Sequence, residues 1–176
     1  MSSFINRFDG GLTRHIQSWP AWVHPIMGTA SFIGEPIIVV SLALSGVIIA
    51  RRREHDRIAL AFVITIVASG CNAILKQFLH RTRPDTLYVT AMRFKSYSFP
   101  SGHAFGSLLT FGLIAYLAAK HWDSPWNYIT PIALGILILL IGLSRVHLGA
   151  HFPSDVIGGW LLAATVLILI IKFVLV

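Results

Sequence analysis

Residues 58–79 read IALAFVITIVASGCNAILKQFL, a predominantly apolar run in which Lys76 is the only charged residue. A helix needs about 20 such residues to cross the hydrocarbon core of a bilayer. The whole chain is 55% hydrophobic and only 12% charged, whereas soluble domains carry about 25% charged residues. The sequence therefore predicts a membrane protein rather than a soluble domain.

The remaining apolar runs extend this into an all-α fold, a multi-pass transmembrane helix bundle. Five spans are predicted: 35–51, 58–79, 102–120, 129–146 and 154–175. We expect residues 35–176 to form one domain and residues 1–34 to form an N-terminal interfacial segment. Residues 21–33 are too few for a full span, and Trp19 and Trp22 favour the membrane interface. A short sixth span is the alternative. We expect no cleaved leader, since the N-terminus has no uninterrupted apolar region.

The connections between spans predict an orientation. Residues 51–57 read RRREHDR, and short basic loops lie in the cytoplasm. Alternating spans then place 121–128 and the C-terminus on the cytoplasmic side, and 80–101 and 147–153 on the other side. That outer face nevertheless carries basic residues, namely Lys76, Arg81, Arg83, Arg93, Lys95 and Arg145. Either the outer face binds an anion, or the true orientation is the reverse.

Two patches of polar residues lie at predicted helix ends. Lys76 and Arg83 flank the end of one span, where an ammonium and a planar guanidinium can bind phosphate oxygens; alternatively, both side chains only reach toward lipid headgroups. Ser101 precedes a helix as a predicted N-cap, and Gly102 allows a ligand close to the first-turn amides. His103 could then donate a proton to a leaving oxygen. The alternative is a plain helix cap beside an interfacial histidine.

A third patch comprises Arg145, His151 and Asp155, at the connection before the last span. Pro153 suits a first helical turn, which lets the Asp155 carboxylate reach back to His151. A carboxylate on one ring nitrogen leaves the other free to attack phosphorus. The alternative is a helix-capping aspartate and an interfacial histidine.

A metal site is a competing interpretation, because His147, His151 and Asp155 have the spacing of one helix face. Pro153 argues against one continuous helix there. The neighbouring basic residues would also repel a divalent cation, and Cys71 lies mid-span, unable to supply a further ligand. We therefore predict no metal.

Together, the three patches resemble the signatures of the type 2 phosphatidic acid phosphatase superfamily, membrane lipid phosphatases related to vanadium haloperoxidases. The resemblance covers about residues 35–175 and breaks down at the polar, glycine-containing N-terminus. It implies that His151 is a nucleophile that becomes phosphorylated, that Asp155 orients it, and that His103 is the general acid. The implied phosphate ligands are Lys76, Arg83, Ser101, Gly102 and Arg145. It also implies no cofactor and, in bacteria, an inner-membrane enzyme whose active site faces outward.

The implied substrate is a lipid phosphate or diphosphate, such as undecaprenyl diphosphate, phosphatidylglycerophosphate or phosphatidic acid. The charge of +7 favours anionic lipid over nucleic acid, since the basic residues flank apolar spans. An anion transporter and a haloperoxidase are alternative functions. A transporter, however, would distribute its ionisable residues along a pathway. Oligomeric state is not encoded in any pattern found here.

Overall fold

The computed structural model describes residues 3–92 and 96–176, and this part of the chain is helical with no strand. Arg93 and Lys95 lie outside the described residues. The helices are α1 (Ser3–Gln17), α2 (Val23–Ile33), α3 (Pro36–Arg52), α4 (Asp56–Leu79), α5 (Leu87–Met92), α6 (Gly102–His121), α7 (Trp126–His147) and α8 (Pro153–Ile170), which continues as a π-helix over Ile171–Leu175. The short helix α5 has no counterpart among the predicted spans.

Four of these helices, α4, α6, α7 and α8 with its π-helical extension, are long and apolar enough to cross a membrane. They agree with the predicted spans to within about three residues at each end. The predicted span 35–51 corresponds to α3, whose 17 residues extend only about 25 Å. A fifth crossing is complete only if α2 and α3, which meet at an angle of 45°, act as one bent span. The described residues therefore contain four spans, or five if α2 and α3 form one bent span, and the expected five separate spans are not confirmed.

Helix α6 lies at the centre of the bundle. Its Phe105, Leu109 and Leu113 are buried against Ala43 of α3 and Ala163 of α8. The large apolar side chains on the outer faces of the other helices are mostly exposed, as lipid-facing surfaces require. Helix α6 therefore forms the centre of the apolar core. The first turn of α6 lies at one end of that core.

Helix α8 approaches the start of α6 closely. A Cβ added to Gly159 would lie 2.8 Å from the Ser101 carbonyl oxygen, so only glycine permits this packing. The Ser101 N–H donates to the Asp155 carbonyl at 3.0 Å. The first turns of α6 and α8 are therefore adjacent, which brings two of the predicted patches together.

The two ends of the bundle differ in the connections they carry. The 51–57 loop lies beside the end of α6 and the C-terminus, where the Arg57 guanidinium donates to the Val176 carbonyl at 3.3 Å. The connections 80–101 and 148–152 lie at the opposite end, because the antiparallel helices alternate in direction. Helix α1 packs at that second end, where Ile16 is buried against Ala104, Val146 and Val156.

Candidate active site

The three predicted patches converge on one cavity of about 330 Å³. A cavity of this size is at the lower end of the range for small-ligand sites. Six of the eight predicted residues line it, namely Lys76, Arg83, Gly102, His103, Arg145 and His151. The other two, Ser101 and Asp155, are fully buried behind its wall. Residues 70 positions apart in sequence thus meet in one place.

His151 lies in the tight connection between α7 and α8 and is 2% exposed. The His151 and Ala150 amides both donate to the Arg145 carbonyl, at 3.1 and 2.9 Å. Gly149 allows the turn because its φ is +77°, and an added Cβ would lie 2.8 Å from Thr86. This turn directs the imidazole into the bundle rather than toward solvent.

The two ring nitrogens of His151 face different partners. Nδ1 lies 3.5 Å from the Asp155 Oδ2 atom, and Nε2 lies 3.3 Å from the Arg83 Nη1 atom. Burial lowers the pKa of His151 to about 3, although the Asp155 carboxylate partly opposes this effect. The ring is therefore neutral at neutral pH, which a nucleophilic nitrogen requires.

Asp155 is held rigidly in the first turn of α8. Its carboxylate accepts from the Phe152 amide at 2.9 Å, from the Ser98 hydroxyl, and from Arg81 Nη1 at 2.5 Å. Pro153 is at the start of the helix, as the sequence predicts. The carboxylate is fully buried and held by three donors, and its Oδ2 atom also faces His151.

Among the described residues, three cationic side chains line the cavity, namely Lys76, Arg83 and Arg145. Arg83 is tied by its Nε to the Ser96 carbonyl at 2.9 Å and by Nη1 to the Ala150 carbonyl at 3.0 Å. Burial lowers the pKa of Arg83 to about 10, so it stays charged at neutral pH. Lys76 is 7% exposed and donates to the Tyr97 carbonyl at 3.4 Å. These contacts orient the cations without neutralising them.

Arg145 is 1% exposed, and a buried guanidinium is costly unless it is compensated. Its Nη1 atom donates to the Ser31 hydroxyl of α2, and its Cζ atom lies 5.8 Å from the centre of the Tyr88 ring. Neither contact supplies a negative charge. An anion in the cavity would complete the compensation.

The start of α6 matches its predicted role as a cap. The Ser101 hydroxyl accepts weakly from the Ala104 amide at 3.5 Å, which confirms the N-cap. A Cβ at Gly102 would lie 3.9 Å from both Asn72 and Lys76, an ordinary contact distance. The protein itself would tolerate a side chain there, so the glycine keeps that volume open for a ligand near the helix N-terminus.

His103 is 7% exposed and lines the cavity together with His151. Its Nε2 atom is 3.3 Å from the Glu35 Oε1 atom at the start of α3. A carboxylate at this distance can accept a hydrogen bond from the ring and hold its orientation. Glu35 was not among the predicted residues, although an acid directly before Pro36 and an apolar run was a visible signal.

The metal-site alternative is contradicted by the helix break. Helix α7 ends at His147 and α8 begins at Pro153, so His147, His151 and Asp155 do not share a helix face. The His147 ring instead stacks on Trp19 with centroids 6.0 Å apart, and Nδ1 lies 3.0 Å from the Ile16 carbonyl. His147 therefore packs against α1, away from the cavity.

Sequence reasoning also missed the groups that hold Asp155. Ser98 and Arg81 both lie in the 80–101 connection, and Arg81 was noted only as part of the basic outer face. Asp9 contacts the same network from α1. No local spacing links these residues to Asp155, so only the tertiary structure reveals them.

Known proteins share sequence and fold with this chain. Residues 57–175 match the family model of the PAP2 superfamily. Phosphatidylglycerophosphatase B of Bacillus subtilis is 29% identical over 86% of this chain and 75% of its own length. An undecaprenyl-diphosphatase of Sulfolobus acidocaldarius is 33% identical over 64% of this chain, which spans only 52% of that relative.

A solved structure has the same architecture. The crystal structure of a transmembrane PAP2 type phosphatidylglycerolphosphate phosphatase from Bacillus subtilis superposes with a TM-score of 0.83 at 26% identity. The match covers 98% of this chain and 87% of the other. The similarity therefore includes the N-terminal helices that the family model does not match.

Proposed function

The chain belongs to the PAP2 superfamily and is an integral membrane phosphatase, and from this premise we propose that it hydrolyses a lipid phosphate or diphosphate through a phosphorylated His151. The observation that carries the proposal is the environment of one imidazole. His151 is buried, has a carboxylate behind Nδ1 and a guanidinium beside Nε2, and lines a cavity together with Lys76, Arg83 and Arg145.

In the first step, the His151 Nε2 lone pair attacks the terminal phosphorus, and the bond from phosphorus to the leaving oxygen breaks; that oxygen belongs to the lipid alcohol in a monophosphate and to the inner phosphate in a diphosphate. Asp155 stabilises the ring as it gains positive charge, because its carboxylate faces Nδ1. The Arg83 Nη1 atom lies 3.3 Å from the attacking nitrogen, so it can donate a hydrogen bond to an oxygen of the phosphoryl group. His103 enters this step protonated and gives its proton to the leaving oxygen, which leaves its imidazole neutral.

The cations stabilise the charge that spreads over the equatorial oxygens in the transition state. Lys76, Arg83 and Arg145 supply this charge, and the Gly102 amide adds the N-terminus of α6, which Ser101 caps. In the second step, a water molecule gives its proton to His103 and attacks the phosphohistidine. Inorganic phosphate leaves, and the ring of His151 is neutral again.

The proposed reaction uses no metal ion or other cofactor. Arg83, Arg145 and Lys76 already provide positive charge around the cavity, and they would repel a divalent cation there. The charge stabilisation that metals supply in many phosphatases is thus provided by side chains.

A lipid is the proposed substrate because both basic and apolar residues line the cavity. Val39 and Val40 of α3 and Phe105 of α6 line it together with the basic residues. A phosphate head among the cations would leave its apolar tail beside the membrane-spanning helices. Phosphatidylglycerophosphate, undecaprenyl diphosphate and phosphatidic acid all have this shape.

We further assign the active site to the outer face of a bacterial inner membrane. The 51–57 loop is strongly basic and lies at the end of the bundle opposite the cavity, where the positive-inside rule favours the cytoplasm. The basic residues around the cavity then lie on the outer side because they bind phosphate.

The transporter alternative is not supported. The relatives reported above are phosphatases, and Lys76, Arg83 and Arg145 meet at one cavity instead of following a path across the bundle. The haloperoxidase alternative is tested by assaying halide oxidation with added vanadate, for which we expect no activity.

The experiment that tests the proposal is phosphate release by the purified protein in detergent, with chelator present, across a panel of lipid phosphates and diphosphates. We expect turnover of at least one lipid without any ion gradient, and none by His151→Ala at equal amounts of folded protein. Absence of release from every lipid, or substantial release by the variant, would reject the proposed function.

A further inference from the structure

Helix α1 carries one buried carboxylate into the network behind His151. Asp9 is 2% exposed, whereas its neighbours Arg7 and Phe8 are exposed. Its Oδ1 atom accepts from the Ser154 amide at 2.9 Å, and Oδ2 accepts from the Ser154 hydroxyl at 2.7 Å. A third donor, the Arg81 Nη2 atom, lies 2.6 Å from Oδ2. Both carboxylate oxygens are thus engaged.

Arg81 connects Asp9 to Asp155. Its Nη2 atom contacts Asp9, while Nη1 contacts the Asp155 Oδ1 atom at 2.5 Å and the Ser154 hydroxyl at 2.7 Å. The guanidinium also lies over the Phe152 ring, 4.7 Å from its centre. Because the guanidinium is a rigid planar fork, fixing one arm on Asp9 fixes the direction of the other arm on Asp155.

From this connection we infer that Asp9 is a positioning residue, which acts through Arg81 to set the orientation and the effective charge of Asp155. The inference rests on the proposed function, in which Asp155 orients His151. Two carboxylates share one guanidinium here. Without the Asp9 charge, Arg81 would be compensated by Asp155 alone, and Asp155 would present less negative potential to the His151 ring.

The competing explanation is that Asp9 only attaches α1 to the bundle. Apolar contacts already do this, because Ile16 is buried against Ala104, Val146 and Val156. The Gln17 amide also donates to the Val146 carbonyl at 3.2 Å. Burying a charge is an unfavourable way to attach a helix, since apolar residues of similar volume are often as stabilising. A role toward Asp155 accounts for the charge.

The test is a comparison of Asp9→Asn with wild type in the full-length protein, using Asn6→Ala on the same helix as the control. Asn6 is exposed and lies one turn before Asp9. Groups that orient the ligands of metal sites from behind typically contribute about 10- to 100-fold, and we expect kcat of Asp9→Asn to fall by a similar factor. We expect KM and the inhibition constant of inorganic phosphate to stay unchanged, since Asp9 does not line the cavity.

A conservative variant separates positioning from attachment. Asp9→Glu keeps the charge and should recover part of kcat, whereas a merely structural role would lower the yield of folded protein and leave kcat per folded molecule unchanged. If Asp9→Asn does not fold, Ser154→Ala is measured instead, because it removes the hydroxyl that donates to Asp9 and accepts from Arg81 without changing a charge. For that variant we expect a several-fold fall in kcat.

The inference is overturned if Asp9→Asn or its substitute has wild-type kcat, or if the loss appears only in KM and phosphate inhibition. These results are distinct from failure of the proposed function. That failure would appear as an inactive wild type, or as activity retained by His151→Ala.

Discussion

Replacing His103 with alanine tests the assignment of the general acid, because its effect should depend on the leaving group. The ring is 7% exposed, lines the cavity and lies 3.3 Å from Glu35, so its loss removes a positioned proton donor. Such a donor contributes about 10²- to 10⁴-fold, or about 3–5 kcal/mol of barrier. An alkyl phosphate, whose alkoxide leaves poorly, should lose that factor. An aryl phosphate with a stabilised leaving group should lose less than about tenfold.

The assay measures kcat/KM of wild type and His103→Ala on an alkyl and an aryl phosphate in the same detergent. His121→Ala is the control, since His121 lies on the same helix at the opposite end of the bundle. We expect the control to behave as wild type on both substrates. Equal losses on the alkyl and aryl substrates would refute the role of His103 as acid, because a purely structural defect does not distinguish leaving groups.

Three further predictions follow from the same geometry. Arg145→Lys keeps the positive charge but loses the planar guanidinium, so kcat should fall about 10²-fold or more and vanadate inhibition should weaken. Inhibition as strong as in wild type would exclude Arg145 from the phosphate ligands. Glu35→Gln should reduce turnover of the alkyl phosphate more than of the aryl phosphate, because the carboxylate lies beside His103, and no difference between substrates would count against that contact. Burial lowers the pKa of His151 to about 3 in the folded protein. Below about pH 6.5 the unfolded state therefore binds a proton that the folded state does not bind. As the pH falls from about 6 to about 4, the contribution of His151 to the free energy of unfolding should fall by about 1.4 kcal/mol per pH unit. Thermal unfolding in detergent should therefore show the wild type losing stability relative to His151→Gln over that range, and parallel curves would disprove the neutral buried ring.

The spans and the three patches could be predicted because each is encoded locally. Hydropathy over 20 residues identifies α4, α6, α7 and α8 without tertiary information. The spacing from Arg145 to His151 and Asp155 predicts a helix end, a turn and a helix start, and all three are present. The prediction that the three patches meet in one site rested on the resemblance to a known family.

The groups that hold the catalytic residues could not be predicted in this way. Glu35, which lies 3.3 Å from His103, is at the 45° bend between α2 and α3, and hydropathy does not specify such a bend. Asp9 is the clearest example, since the N-terminal segment was expected to lie at the interface. Its carboxylate instead contacts Arg81 and Ser154, which are 72 and 145 residues away. Such pairings depend on how α1 packs against α8.

The measurement that tests the central claim most directly is to stop the reaction during turnover and identify the phosphorylated residue by mass spectrometry under alkaline conditions, where phosphohistidine persists. We predict phosphate on His151 in the wild-type protein and none in His151→Ala. Phosphate release by active enzyme with the label on a different residue would contradict the mechanism.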